Sequence, residues 1–207
     1  MTAPPASLPD KIVALHRALE AAKVGHAFGG ALALAWCTRR PRGTSDIDIN
    51  IFAPPTQTRR VLRALPHEMR WVDDDRDRLQ RDGQVRLWWD ATPVDLFLST
   101  HSFHRRAGRR VRLEPFRDET LPFLACDDLA VFKVFFDRSR DWADLEEMIT
   151  ARSFDIAAVR ATIVELLGAD DARIARLSDL VDRVAQAADP APEPRFEIPP
   201  RAPRRQH

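Results

Sequence analysis

The segment Ser-Asp-Ile-Asp-Ile-Asn-Ile-Phe at residues 45–52 alternates polar and apolar side chains with a period of two. This alternation predicts a β-strand with one buried face and one polar face. Because side chains two positions apart point to the same side of a strand, Asp46 and Asp48 are expected to lie next to each other on the polar face. The buried face is expected to carry Ile47, Ile49 and Ile51. Any fold of this chain must therefore bury one side of this strand and leave two adjacent carboxylates on the other.

Similar patterns predict the elements around this strand. Residues 84–89 and 92–98 are expected to form two further strands joined by a tight turn. Apolar residues at helical spacing predict helices over residues 11–22, 31–37, 57–65, 127–136, 141–150, 155–167 and 171–187. We expect short extended pieces at 27–28 and 69–72, a loop at 73–82 and a strongly basic segment at 99–117.

Composition bounds the class of protein. The 207 residues are 44% hydrophobic, which suffices for a core, and the formal net charge of +1 gives no overall signal of nucleic-acid binding. The five tryptophans are expected in the core: Trp36, Trp71, Trp88, Trp89 and Trp142.

The two cysteines, Cys37 and Cys126, match no zinc-binding spacing and are expected to be buried free thiols in a reducing cytosol. No apolar run is long enough to span a bilayer, and residues 1–10 lack the layout of a signal peptide. We therefore expect a cytoplasmic protein without a membrane partner.

The paired carboxylates point to metal-assisted chemistry. Two adjacent carboxylates repel each other, and a divalent cation between Asp46 and Asp48 would relieve that repulsion. Hard oxygen ligands favour Mg²⁺, with Mn²⁺ as the alternative, and Mg²⁺ is commonly shared with substrate phosphates. The competing interpretation is an exposed polar face on an edge strand.

Two companions favour a phosphate site. Gly29-Gly30 follows a short extended piece and precedes a helix, where backbone N–H groups can bind a triphosphate. Asp95 lies in the middle of a predicted strand and can supply a third acidic ligand. The alternatives are an ordinary turn for the glycines and a surface-facing position for the aspartate.

A third companion lies downstream. Lys133 stands in an apolar stretch, where it either extends its amine to the surface or reaches into a site to bind phosphate. Asp141 and Asp144 follow, and either complete the site or cap and stabilise a helix.

Together these residues resemble the AbiEii-like (MenT-type) nucleotidyltransferase toxins of the polymerase-beta-like nucleotidyltransferase superfamily. The resemblance rests on Gly29-Gly30, on Thr44-Ser45-Asp46-Ile47-Asp48, on Asp95, and on the segment LAVFKVFFDRSRDWADLEEM at residues 129–148, and it covers roughly residues 10–150. It implies an α+β fold whose nucleotidyltransferase core, a small mixed sheet flanked by helices, occupies residues 1–125. A C-terminal helical region at 126–187 would complete the site, followed by a disordered Pro- and Arg-rich tail at 188–207.

The resemblance also implies residue roles. The metal ligands would be Asp46, Asp48 and, in a helping role, Asp95. The catalytic group would be Asp46, Asp48, Lys133, Asp141 and Asp144, with either Asp141 or Asp144 as the site acid. The substrate phosphates would be bound by Gly29, Gly30, Thr44, Ser45 and Arg140, and Lys133 would also contact the triphosphate.

Members of that family transfer a nucleotide from an NTP to RNA, in some cases to the acceptor end of tRNA, and a cognate antitoxin neutralises them. We therefore expect a magnesium-dependent nucleotidyltransferase toxin with NTP, RNA and an antitoxin as partners. The arginines Arg105, Arg106, Arg109 and Arg110 can follow an RNA backbone, or form a solvated loop. Two alternatives remain open, namely transfer to a protein or small molecule, and a catalytically inactive nucleotide-binding module.

Overall fold

The computed structural model describes residues 6–188. Its α-helices are α1 (Leu8–Ala21), α2 (Gly30–Thr38), α3 (Thr58–Ala64), α4 (Asp73–Asp82), α5 (Ser102–Ala107), α6 (Cys126–Phe136), α7 (Ser139–Thr150), α8 (Ile156–Leu167) and α9 (Ala172–Ala188). Its strands are β1 (His26–Phe28), β2 (Ile47–Ile51), β3 (Gln84–Trp89), β4 (Thr92–Leu98), β5 (Arg112–Phe116) and β6 (Glu119–Phe123). A short 3-10 helix at Pro55–Gln57 precedes α3.

The six strands form one mixed sheet in the order β3-β4-β2-β1-β6-β5. Strand β2 lies inside the sheet, antiparallel to β1 and parallel to β4. Its register with β4 pairs Asp48 with Asp95. Because paired residues on neighbouring strands point to the same face, the sheet places both carboxylates on one side. The prediction of an α+β fold with a small mixed sheet flanked by helices is confirmed.

The opposite face of β2 belongs to the core. Ile47, Ile49 and Ile51 are at most 1% exposed and pack in one cluster with Leu15 and Leu19 of α1. The predicted division of β2 into a buried isoleucine face and a polar aspartate face is therefore confirmed.

Helix α4 corrects the loop predicted at residues 73–82. Apolar periodicity fails there because Leu79 is its one buried residue. Ion pairs between neighbouring turns, such as Arg76–Asp73 and Arg78–Asp74, stabilise this helix in place of a buried apolar face. The spacing of opposite charges at i,i+3 and i,i+4 is therefore the feature of this segment that indicates a helix.

The basic segment at 99–117 contains structure that the sequence pattern did not predict. It holds α5 and the edge strand β5. Residues 69–72, predicted as a short strand, contribute one isolated bridge between Arg70 and Trp88. Trp88 itself is 53% exposed, so the prediction that all five tryptophans lie in the core is wrong for this residue.

The cysteine prediction is also wrong. Cys37 of α2 and Cys126 of α6 form a disulfide across a sequence separation of 89 residues. The two helices pack against each other, and this tertiary contact is invisible in the spacing of the cysteines along the chain.

Two predictions concern regions rather than contacts. Strands β1–β6 lie before residue 124, and helices α6–α9 follow. The division into two regions near residue 125 stays a prediction. The predicted tail at 188–207 lies outside the described residues except for Ala188, the last residue of α9. Among residues 6–188, no helix has the length and apolar character needed to cross a membrane.

Candidate active site

A cavity of about 470 Å³ opens on the polar face of β2. The sheet forms one wall, and helices α6 and α7 form the other. Residues predicted from the sequence line most of it: Gly30, Thr44, Ser45, Asp46, Asp48, Asp95, Lys133, Arg140, Asp141 and Asp144. The structure therefore brings together side chains that are spread over more than half of the chain.

The Gly29-Gly30 turn allows helix α2 to begin directly against the aspartates. Gly30 has φ of +48°, and a Cβ atom there would lie 1.8 Å from Oδ2 of Asp48. Gly29 donates its backbone N–H to the carbonyl oxygen of Asp48 over 2.9 Å. Both a positive φ and the absence of a side chain are required at Gly30, which explains this residue on steric grounds.

The N-terminus of α2 faces the same cavity. Gly30 and Ala31 line it, and the N-cap residue Gly29 supplies no side-chain hydrogen bond to the first turn. Unsatisfied N–H groups and the positive end of the helix dipole favour an anion at this position.

Two carboxylates lie at the start of β2, where Asp46 directly precedes the strand and Asp48 is its second residue. Within residues 6–188, neither Asp46 nor Asp48 forms an ion pair with a Lys, Arg or His side chain. Asp46 accepts a hydrogen bond from the hydroxyl of Thr44. Burial, reinforced by the nearby Asp46 and Asp95 carboxylates, raises the pKa of Asp48 to about 6.

Asp95 lies on the same face of the sheet, but its carboxylate forms an ion pair with Arg86. Arg86 donates to both of its carboxylate oxygens, with Nε···Oδ1 of 2.7 Å and Nη2···Oδ2 of 2.6 Å. This two-pronged pair leaves Asp95 less available than Asp46 and Asp48 to bind a cation.

The donor set indicates where a metal ion fits. In the part of the chain that the structure describes, no three His, Cys, Asp or Glu side chains converge into a metal-binding group. Asp46 and Asp48 nevertheless fit a hard divalent cation, because they are neighbouring carboxylates that line the same cavity without an ion-pair partner among residues 6–188. Asp95 would have to leave Arg86 before it could join them.

The helical wall is built differently, from buried charges that are paired. Lys133 of α6 lies 2.5 Å from Oδ2 of Asp144 and 3.6 Å from Oδ1 of Asp141, and all three residues are at most 5% exposed. Arg42 also contacts Asp144, and Arg138 binds Asp141 with Nε···Oδ2 of 2.7 Å. Both acids therefore contact Lys133, and Asp144 is the nearer.

The arginine cluster predicted to bind RNA does not line this cavity. Arg106 pairs with Glu165 of α8, and Arg110 pairs with the buried Asp128 at the start of α6. Arg105 and Arg109 are exposed. Their proposed role stays a prediction, and any contact with RNA would lie outside the cleft.

Sequence reasoning missed two basic residues of the cavity, Arg42 and Arg86. The signal for Arg86 was present. A tight turn that pairs Trp89 with Thr92 also pairs Arg86 with Asp95, because antiparallel register continues along the hairpin. Arg42 lies in a loop, and its contact with Asp144 of α7 depends on tertiary packing.

Comparison with known proteins identifies the fold. The sequence matches no protein-family model and no curated protein sequence. The structure is similar to that of the antibiotic-resistance factor ANT(2'')-Ia, with a TM-score of 0.54 and 9% identity, covering 84% of this chain and 97% of that one. It is also similar to an antigenic nucleotidyltransferase-like protein from Paracoccidioides brasiliensis, with a TM-score of 0.50 and 14% identity, covering 90% and 94%. The chain has the nucleotidyltransferase fold.

Proposed function

We propose that this chain transfers a nucleotide from an NTP to a hydroxyl group of RNA, with Mg²⁺ as its cofactor and Mn²⁺ as a possible replacement. One observation carries the proposal. In a nucleotidyltransferase fold, the half-buried carboxylates Asp46 and Asp48 form no ion pair with a basic side chain among residues 6–188, and Asp48 lies directly against the N-terminus of α2.

The donor site follows from the charges around the cavity. The triphosphate would lie between the N–H groups of α2 and the basic side chains Lys133, Arg42 and Arg140. Thr44 and Ser45 add hydroxyl donors beside the aspartates. A cation held by Asp46 and Asp48 would neutralise phosphate charge as the α-phosphate reacts.

The transfer step conserves atoms and charge. The acceptor hydroxyl oxygen forms a bond to the α-phosphorus, and the bond from that phosphorus to the α,β-bridging oxygen breaks, so that pyrophosphate leaves. The hydroxyl proton passes to solvent water, because a carboxylate that holds the cation is not free to accept it.

The biological role is a further part of the proposal. The motif resemblance supports a toxin whose acceptor is RNA, most specifically the tRNA acceptor end, and which a cognate antitoxin neutralises. Because NTPs and RNA both occur in the cytoplasm, we propose that location. The Cys37–Cys126 disulfide would be exposed to reduction there.

A second candidate is transfer to a small molecule. It is favoured by the structural similarity to an antibiotic-resistance factor, which shows that this fold occurs in proteins of that role. The same cavity would hold the NTP, so the two candidates differ in the acceptor alone. A catalytically inactive binding module is the least supported candidate, because Asp46 and Asp48 are retained without structural partners.

One reaction separates these candidates. The full chain is incubated with α-³²P-labelled NTPs, MgCl₂ and, in parallel, total RNA, protein extract or a small-molecule extract. The matched variants are Asp48→Asn and Asp118→Asn, the latter an exposed acid outside the cavity. Label on RNA that Asp48→Asn abolishes supports the proposal, and label on a small molecule alone supports the second candidate. No label on any acceptor contradicts both.

A further inference from the structure

The active-site cavity continues past Asp95 into a second cavity of about 350 Å³. Arg86, Asp95 and Arg138 line both spaces. Its volume falls within the range of about 300–1,000 Å³ that is usual for small-molecule sites. A group bound there lies beside Asp95, which is the register partner of Asp48 on β2.

The walls of this second cavity combine arginines and aromatic rings. Arg78 of α4, Arg86 of β3 and Arg138 contribute guanidinium groups. Phe97 and Phe136 contribute rings whose centroids lie 5.8 Å apart, and the guanidinium carbon of Arg138 lies 5.0 Å from the centre of the Phe136 ring. We call the space bounded by these five residues and Asp95 the arginine groove.

The arginines can exchange their partners for phosphate. Arg78 pairs with Asp74, Arg86 with Asp95 and Arg138 with Asp141, while the three arginine side chains remain 51%, 53% and 67% exposed. The pair of Arg78 with Asp74 is exposed on both sides and contributes little to stability, so Arg78 can leave Asp74 at small cost. The phosphodiester of an RNA strand, which carries one negative charge, offers the same guanidinium groups an acceptor that matches their paired N–H donors.

We infer that the arginine groove binds the 3′-terminal nucleotide of a single-stranded RNA acceptor. This inference rests on the proposed function. The base would stack on Phe97, and the phosphate on its 5′ side would contact Arg78 and Arg86. The ribose hydroxyls would then lie beside Asp95, where the groove joins the donor cavity.

The position of the groove separates acceptor from donor. Gly30, Ala31 and Thr44, which favour the triphosphate, line the first cavity and not the second. A strand end can enter a space of about 350 Å³ beside the sheet, whereas a duplex is too wide to do so.

An exposed tryptophan extends this surface. Trp88 follows Arg86 by two residues on β3, and the burial of this strand alternates so that both side chains face outward on the same side. Their spacing is about 7 Å along the strand. At 53% exposed, Trp88 is available to stack the preceding base of the same RNA strand.

Equilibrium binding without NTP tests the inference on the full chain. The probe is a single-stranded RNA oligonucleotide with a 5′ fluorophore and a free 3′ end, followed by fluorescence anisotropy. The test variants are Arg78→Glu and Trp88→Ala, both at exposed positions that tolerate substitution. Arg63→Glu on α3 is the matched control, since it makes the same charge change at an exposed position outside both cavities.

We expect Arg78→Glu and Trp88→Ala each to weaken RNA binding by at least about fivefold, and Arg63→Glu by less than about twofold. The slope of log affinity against log salt should fall by about 0.7 in Arg78→Glu, as expected for one lost phosphate contact. Binding of a fluorescent NTP should stay within about twofold of wild type in all three variants.

Several outcomes would overturn the inference. These are RNA affinity unchanged in both test variants, equal binding of a blunt duplex, or loss of NTP binding in place of RNA binding. A wild-type chain that binds no RNA would overturn it as well. The proposed function is judged separately by the transfer reaction. If Arg78→Glu still transfers labelled nucleotide to RNA with an unchanged KM for RNA, the proposed activity stands and the role of the arginine groove is contradicted.

Discussion

The two walls of the cleft arrange their charged side chains in opposite ways. On the helical wall, Lys133 is surrounded by Asp141 and Asp144, and each acid has a further arginine partner. On the sheet wall, Asp46 and Asp48 lie beside each other with no ion pair to a residue between 6 and 188. Burial of charge is costly unless it is paired. The helical wall therefore balances its buried charge internally, whereas Asp46 and Asp48 on the sheet wall leave negative charge that the cation we propose would balance.

The largest effect is expected from a substitution that removes one of the two unpaired carboxylates of the sheet wall. Asp48→Asn should lower nucleotide transfer by roughly a thousandfold, because the cation loses one of its two carboxylate ligands. The measurement is the initial rate of α-³²P transfer at saturating NTP and RNA. Asp118→Asn, with the same loss of charge at an exposed site, should retain the wild-type rate. Equal activity in both variants would remove the distinction between the two walls.

Breaking the paired wall should affect stability instead. Asp144→Asn leaves Lys133 with Asp141 alone, at 3.6 Å, and should reduce the free energy of unfolding by roughly 3 kcal/mol. Urea unfolding followed by circular dichroism measures this change. Glu147→Gln is the control, since Glu147 also faces Arg42 but is 45% exposed, and its effect should stay below about 1 kcal/mol. A loss of the same size in both variants would contradict the account of this wall.

The sheet wall predicts a stability change of the opposite sign. The pKa of Asp48 is raised to about 6 in the folded chain, above its ordinary value of 3.8. Between those two pH values the unfolded chain loses a proton that the folded chain keeps, so the charge destabilises the fold increasingly as pH rises. Without metal at pH 7, Asp48→Asn should therefore stabilise the chain by roughly 2–3 kcal/mol.

The gain should shrink as pH falls through 6 and should be below about 1 kcal/mol at pH 4, close to the ordinary pKa of 3.8 that Asp48 has in the unfolded chain. Urea titrations at pH 4, 5.5 and 7 in EDTA test this dependence. A destabilised Asp48→Asn variant at pH 7 would show that Asp48 has a stabilising partner after all.

His104 shows what burial does to a basic group away from both walls. Burial, with a smaller contribution from His101, lowers the pKa of His104 to about 4 from 6.5, and its Nδ1 has no hydrogen-bond partner in the described part of the chain. As pH falls below 6.5, His104 becomes protonated in the unfolded chain but stays neutral in the folded chain. The free energy of unfolding of the wild type should therefore drop by roughly 2 kcal/mol at pH 5.

In His104→Phe this part of the acid sensitivity should be absent, while the ring contact with Phe132 is kept. Urea unfolding of wild type and variant at pH 7 and pH 5 provides the comparison. Identical pH dependence in the two proteins would contradict a neutral, buried His104.

The sheet wall could be predicted from sequence because its signals are local. Alternation over residues 45–52 identifies β2 and the shared face of its aspartates, and the Gly29-Gly30 pair marks the start of α2. The steric reason for Gly30 needed the structure, since the atom that excludes a side chain there belongs to Asp48, on another strand.

The helical wall could be predicted only in part. Lys133, Asp141 and Asp144 were named together, but sequence could not decide between the two acids because both lie one turn apart on α7. The contacts of Arg42 with Asp144, and the disulfide of Cys37 with Cys126, join segments that are 102 and 89 residues apart. Such pairings depend on how helices pack, which no local pattern encodes.

Binding of Mn²⁺, followed by the loss of its free electron paramagnetic resonance signal, tests the central claim most directly. The titration uses the full chain with a non-hydrolysable NTP analogue, and compares wild type, Asp48→Asn and Asp118→Asn. We expect at least about tenfold weaker Mn²⁺ binding in Asp48→Asn, because the cation loses a carboxylate ligand, and unchanged binding in Asp118→Asn. Equal Mn²⁺ affinity in wild type and Asp48→Asn would show that the unpaired aspartates of β2 do not hold the cation.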